Sequence, residues 1–105
     1  LKSKIDISAE QYSVVKSILA QYVSANMRVW VFGSRVKLMS KPYSDLDIAL
    51  EMLDKSSVPQ EIVNQLEYAF EESDLPWKVD IVDLNSISAV FRDIINKDKI
   101  LFEGL

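Results

Sequence analysis

A Gly-Ser pair, ten intervening residues and then an Asp-x-Asp triplet constrain this 105-residue chain more than any other feature. The segment Val29-Trp30-Val31-Phe32 has the length and the β-branched and aromatic content of a buried strand, and Gly33-Ser34 ends it abruptly. A loop containing Pro42 follows. Asp45-Leu46-Asp47-Ile48-Ala49-Leu50 then alternates with period two, so Leu46, Ile48 and Leu50 share one face of a strand while Asp45 and Asp47 share the other. A third acid, Asp80, lies inside the apolar run Lys78–Leu84, on the same pleat face as Val82. Asp83 is the competing choice, but it falls on the opposite face near the strand's end.

Aspartate is depleted from strands, because a buried carboxylate without partners is costly. Were Asp45, Asp47 and Asp80 brought within about 5 Å of one another, each pair would repel by roughly 3 kcal/mol at an effective dielectric near 20. A cation belongs in the gap. Hard divalent ions such as Mg²⁺ take carboxylate, water and phosphate oxygens. The glycine-serine turn supplies the complementary half: glycine permits close backbone approach, the Ser34 hydroxyl donates to phosphate, and a short helix from Ser34 toward Lys37 or Leu38 would aim its amino end at an anion. The ligand this pattern calls for is a metal-bound nucleotide. Arg35 is placed either to bind phosphate or to pair with a site carboxylate. Lys37 and Lys41 read as solvated loop charges, Ser44 as a turn residue, and Trp30, Phe32 and Trp77 as core rather than base-stacking aromatics.

Composition closes off other chemistries. The absence of cysteine excludes disulfides and thiolate metal sites, and the absence of histidine removes the commonest general base, so any catalysis must use carboxylates. The net charge of −4 includes −3 from the three nominated aspartates, which leaves −1 for the rest of the chain. That balance carries little information about partners, whereas the absence of a long basic stripe argues against a nucleic-acid partner. The length suits one domain spanning residues 1–105, with no second domain to hold a large acceptor. No apolar run approaches the roughly 18 residues of a membrane span and no secretory signal is visible, so a soluble cytoplasmic protein is expected.

Around the motif the periodicities predict three longer helices. Ser8-Ala9-Glu10-Gln11 fits a capping box, and Tyr12, Val15, Ile18, Leu19, Tyr22 and Val23 form an apolar stripe through about residue 24. A second helix begins at Pro59, buries Ile62, Val63, Leu66, Ala69 and Phe70, and ends near Glu72. A third begins near Asn85 or Ser86 and carries Ile87, Val90, Phe91, Ile94 and Ile95 at helical spacing. Ile100-Leu101-Phe102 reads either as a short terminal strand or as a tail that docks on a partner.

Gly33-Ser34, ten residues, then Asp45-Leu46-Asp47 resembles the signature of the polymerase-beta-like nucleotidyltransferase superfamily, and Val79-Asp80-Ile81-Val82 looks like the strand bearing its third carboxylate. At this size the chain is similar to the minimal nucleotidyltransferases (MNT-type) encoded beside HEPN-domain partners in toxin-antitoxin pairs. The resemblance implies an α/β (α+β) fold with a small mixed sheet flanked by helices. It also implies two Mg²⁺ ions held by Asp45, Asp47 and Asp80, and ATP as donor, its triphosphate held by Gly33, Ser34 and Arg35. In that frame Asp80 either binds the catalytic metal or accepts the attacking hydroxyl's proton. The reaction implied is AMP transfer to a tyrosine of a HEPN-type toxin, within a hetero-oligomer or beside a homodimer. Two alternatives stand: an antitoxin acting by contact alone, and nucleotidyl transfer to RNA or a small molecule.

Overall fold

The computed structural model describes residues 5–105. Its elements run α1 (Ala9–Tyr22), β1 (Met27–Phe32), β2 (Leu46–Met52), α2 (Gln60–Glu71), β3 (Val79–Asp83), α3 (Ala89–Asp98) and β4 (Ile100–Leu101). The strands form one mixed sheet in the order β3-β2-β1-β4. β1 is antiparallel to both β2 and β4, whereas β2 and β3 are parallel and therefore need the crossover that α2 supplies. This is the mixed α/β architecture expected from the sequence.

Two layers of helix fix what each sheet face does. On one face Val15 and Leu19 of α1 and Leu66 and Phe70 of α2 pack against Val29, Val31, Leu46, Ile48 and Leu50. Burial of these side chains is the main stabilising term, at about 1.5–3 kcal/mol for each large one. On the other face a smaller cluster joins Ala49, Leu84 and Ile95 to Trp30, Phe32, Val82 and Ile87. The two clusters follow the pleat: even-numbered residues of β2 face α1 and α2, and odd-numbered ones face the side of α3.

The capping box forms as expected, with Ser8 Oγ accepting from Gln11 N at 3.0 Å and Gln11 Oε1 accepting from Ser8 N at 2.8 Å. The third helix starts later than its sequence suggests. Asp83 accepts hydrogen bonds from Asn85 N at 3.0 Å and from the Ser86 hydroxyl at 2.8 Å, which turns those residues into a loop and leaves Ser88 as the N-cap. Asp83 Oδ2 also accepts from Val58 N at 2.8 Å and so ties the entry of α2 to the end of β3. Its role is structural, which removes it as a rival to Asp80. Asp83→Ala is expected to lower stability by about 2 kcal/mol by orphaning these donors, a shift readable as a lower urea midpoint with unchanged slope.

Of the two readings of the C-terminal segment, the strand holds. Ile100 and Leu101 pair with Val31 and Trp30, Phe102 N donates to Val29 O at 2.8 Å, and the buried Phe102 ring stacks on Tyr12 at 4.7 Å. The segment is thus the edge strand of the sheet, with Leu101 still 40% exposed. Apolar surface remains open on α3 as well as at Leu38, Met39 and Tyr43 in the loop before β2. Ile95 is buried, but Val90 and Ile94 are 73% and 51% exposed, so much of the predicted stripe is uncovered. No helix among the described residues is long and apolar enough to cross a membrane.

Candidate active site

Register sets two of the aspartates side by side. Asp47 pairs with Phe32 across the antiparallel ladder and with Asp80 across the parallel one, so Phe32, Asp47 and Asp80 form a row on the face that α3 only partly covers. Asp47 is the only residue of β2 that is not buried. Asp45 sits immediately before the strand, exposed and within hydrogen-bonding reach of Asp80.

The electrostatics record this convergence. Asp45 is raised above its ordinary pKa, first by the hydrogen bond with Asp80, then by loss of hydration and by the Asp80 charge, with Lys78 and Arg35 opposing. Asp47 is pushed up to about 6, first by burial and then by the charges of Asp80 and Asp45. Lys78 Nζ lies 3.3 Å from Asp80 Oδ1 and partly offsets the negative charge. Lys78 was not singled out from sequence, although its position two residues before Asp80 puts it on the same side of the chain.

The glycine turn closes the site from the other side. Gly33 adopts φ +84°, and a Cβ built there would fall 3.1 Å from Asp47 Cγ and closer still to Oδ2. Only a residue without a side chain lets the turn lie against the Asp47 carboxylate. The expected helix after Ser34 does not form. Val36 N and Lys37 N both donate to Gly33 O, at 3.1 and 3.3 Å, and this single turn ends at Leu38, whose φ is 57°. Ser34 is half-buried at the head of that turn, directly after Gly33.

Arg35 departs from both roles read from sequence. It is only 5% exposed, and its guanidinium donates to the backbone carbonyls of Asp6, Lys41, Pro42 and Ser44 rather than to a carboxylate or toward an open phosphate position. Its plane also covers the buried Trp77 ring at 4.7 Å. The guanidinium is thus buried and committed to backbone carbonyls and to the face of a ring. Trp30 and Trp77 are packing residues, as expected: Trp30 Nε1 donates to Glu51 at 2.9 Å, and its ring carries Lys99 at 4.2 Å.

A hard divalent ion fits this donor set. The ionised forms of Asp45 and Asp47 are disfavoured beside Asp80, and no thiolate or imidazole donor exists in the chain. Among the described residues no group of three or more acidic side chains is placed to hold a metal ion by itself, so water and phosphate oxygens would have to complete the coordination. An open set of this kind suits Mg²⁺, which keeps much of its coordination shell for water and phosphate oxygens.

Comparison with known proteins decides the family. Residues 14–104 match the family described as polymerase beta, nucleotidyltransferase. The chain belongs to that family. It is 45% identical over 97 residues to a protein of Haemophilus influenzae called probable protein adenylyltransferase MntA, a match covering 90% of this chain and 81% of that one. Its fold also superposes with a TM-score of 0.70 on a chain from a crystal structure of a toxin-antitoxin with AMP-PNP, at 22% identity, covering 90% of this chain and 73% of that one. Membership makes the chain a nucleotidyltransferase.

Proposed function

We propose that this nucleotidyltransferase transfers AMP from Mg²⁺-ATP to a tyrosine hydroxyl of a HEPN-domain toxin and so acts as its antitoxin. The observation that carries the reading is the pairing of the Gly33 turn with Asp47, with Asp45 and Asp80 beside it, in a chain 45% identical to a probable protein adenylyltransferase. The structural neighbour with AMP-PNP, a toxin-antitoxin, supports the same direction.

In this reading Asp45, Asp47 and Asp80 hold the ions, and Gly33 and Ser34 receive the triphosphate. Bound Mg²⁺ supplies positive charge to the phosphate oxygens and to the departing pyrophosphate. The hydroxyl oxygen forms a bond to the α-phosphorus, the bond from that phosphorus to the β-bridging oxygen breaks, and its electron pair leaves with pyrophosphate. Asp80 takes the hydroxyl proton. Holding donor and acceptor in line accounts for the remaining acceleration.

One observation favours a second reading, neutralisation by contact: Val90 and Ile94 leave an apolar strip exposed on α3. Incubating the protein with Mg²⁺, labelled ATP and a HEPN-domain toxin is expected to label the toxin, and absence of label with any nucleotide would exclude transfer. In cells, the double variant Asp45→Asn, Asp47→Asn is expected to lose neutralisation while still binding the toxin. Full neutralisation by that variant would establish the contact reading instead.

A further inference from the structure

We infer that Arg35 is a positioning residue that holds the glycine turn in register with both acidic strands, a role that rests on the nucleotidyl-transfer reading above. Three segments meet at its guanidinium. Nε and Nη2 both donate to the Ser44 carbonyl, at 3.0 and 2.9 Å, and Ser44 directly precedes Asp45. Nη2 also reaches the carbonyls of Lys41 and Pro42, each at 3.2 Å, so the end of the connecting loop is gripped at several points. On its flat face the group rests on Trp77, three residues before Asp80. Nη1 donates to Asp6 O at 2.8 Å, and Asp6 N returns a bond to Arg35 O at 2.7 Å, fixing the backbone two residues after Gly33.

Every element that must be in register at the site is thus tied to one side chain within three residues of its functional group. A planar fork is needed to hold one carbonyl through two donors while stacking on a ring, and lysine offers neither the fork nor the plane. The charge is retained in Arg35→Lys and the geometry is lost. That variant is therefore expected to be nearly as impaired as Arg35→Gln.

The test uses the full chain and two independent readouts. The first is thermal melting with Mn²⁺ alone, which requires the carboxylates to be aligned but requires no nucleotide or acceptor. The second is steady-state transfer, resolved into kcat and the KM for ATP. For Arg35→Lys the Mn²⁺ concentration giving half the maximal melting shift should rise roughly tenfold, and kcat should fall about 10- to 100-fold, as misplacements near 1 Å do, with the KM for ATP within about threefold of wild type. A raised KM with unchanged kcat would overturn the inference in favour of a direct nucleotide contact. A lower melting temperature with wild-type Mn²⁺ response and wild-type kcat per folded molecule would overturn it in favour of stability alone. Should the Arg35 variants fail to fold, Trp77→Leu, which removes the ring beneath the guanidinium and leaves its hydrogen bonds, must show a smaller change in the same two readouts; an unaltered Mn²⁺ response there also overturns it. A wild-type protein that responds to Mn²⁺ but transfers nothing defeats the enzymatic reading and leaves the role of Arg35 measurable, whereas no Mn²⁺ response in wild type defeats both.

Discussion

Replacing Asp47 with asparagine is expected to reduce transfer by roughly 10³-fold, the scale of losing one charge-stabilising group, while making the metal-free fold more stable. The two effects share a cause. Burial, then the charges of Asp80 and Asp45, push the Asp47 carboxyl up to about 6 from 3.8. A folded-state pKa above the unfolded value means that the folded protein favours the protonated form. Asp47 therefore leaves stability intact below pH 3.8 and diminishes it as pH rises through about 6. A shift of this size corresponds to about 3 kcal/mol without screening, and the half-open position of the carboxyl reduces that to roughly 1–2 kcal/mol. Asparagine keeps the shape and removes the charge. Urea unfolding should show the variant and wild type nearly equal below pH 4, with the variant ahead by roughly 1–2 kcal/mol at pH 7.5. Mg²⁺ should close that gap by stabilising wild type alone. A variant less stable than wild type at pH 7.5 would mean that Asp47 gains more from its neighbours than repulsion removes.

The features legible in the sequence are those set by local periodicity. Period-two alternation put Asp45 and Asp47 on the face opposite Leu46, Ile48 and Leu50, and the structure has them there because β2 is a central strand whose even-numbered side chains fill the core. The capping box at Ser8 is a matter of four consecutive residues and needed nothing else. What was not legible depends on chain segments that return from far away. The fate of Arg35 depends on Asp6, 29 residues earlier, and on Trp77, neither of which any local pattern connects to it. The late start of α3 has the same origin, since Asp83 recruits Asn85 and Ser86 while also anchoring Val58. Periodicity on α3 showed which residues share a face, but it carries no information on whether that face is covered, and Val90 and Ile94 remain open.

Gly33→Ala should be the most damaging small substitution in the chain, because it strikes the backbone and the carboxylate at once. At φ +84° a side chain strains the backbone by about 1–2 kcal/mol, so a moderate loss of stability is expected from conformation alone. The larger effect is steric. The new methyl group would occupy the space of the Asp47 carboxylate, with Cγ 3.1 Å away, and that short side chain sits on a central strand that cannot shift. The carboxylate must therefore rotate away from Asp80 and from the phosphate turn. Transfer is expected to fall by at least about 10²-fold, carried by kcat and by the concentration of Mg²⁺ needed for half-maximal rate. Pairing the substitution with Asp47→Asn separates its two components. If the methyl acts through the carboxylate, the double variant should transfer no worse than Asp47→Asn alone, a coupling of the kind neighbouring groups show. If the losses multiply instead, Gly33 matters chiefly through its own contact with the triphosphate, and the damage in the single variant lies in the turn rather than in the acid it touches.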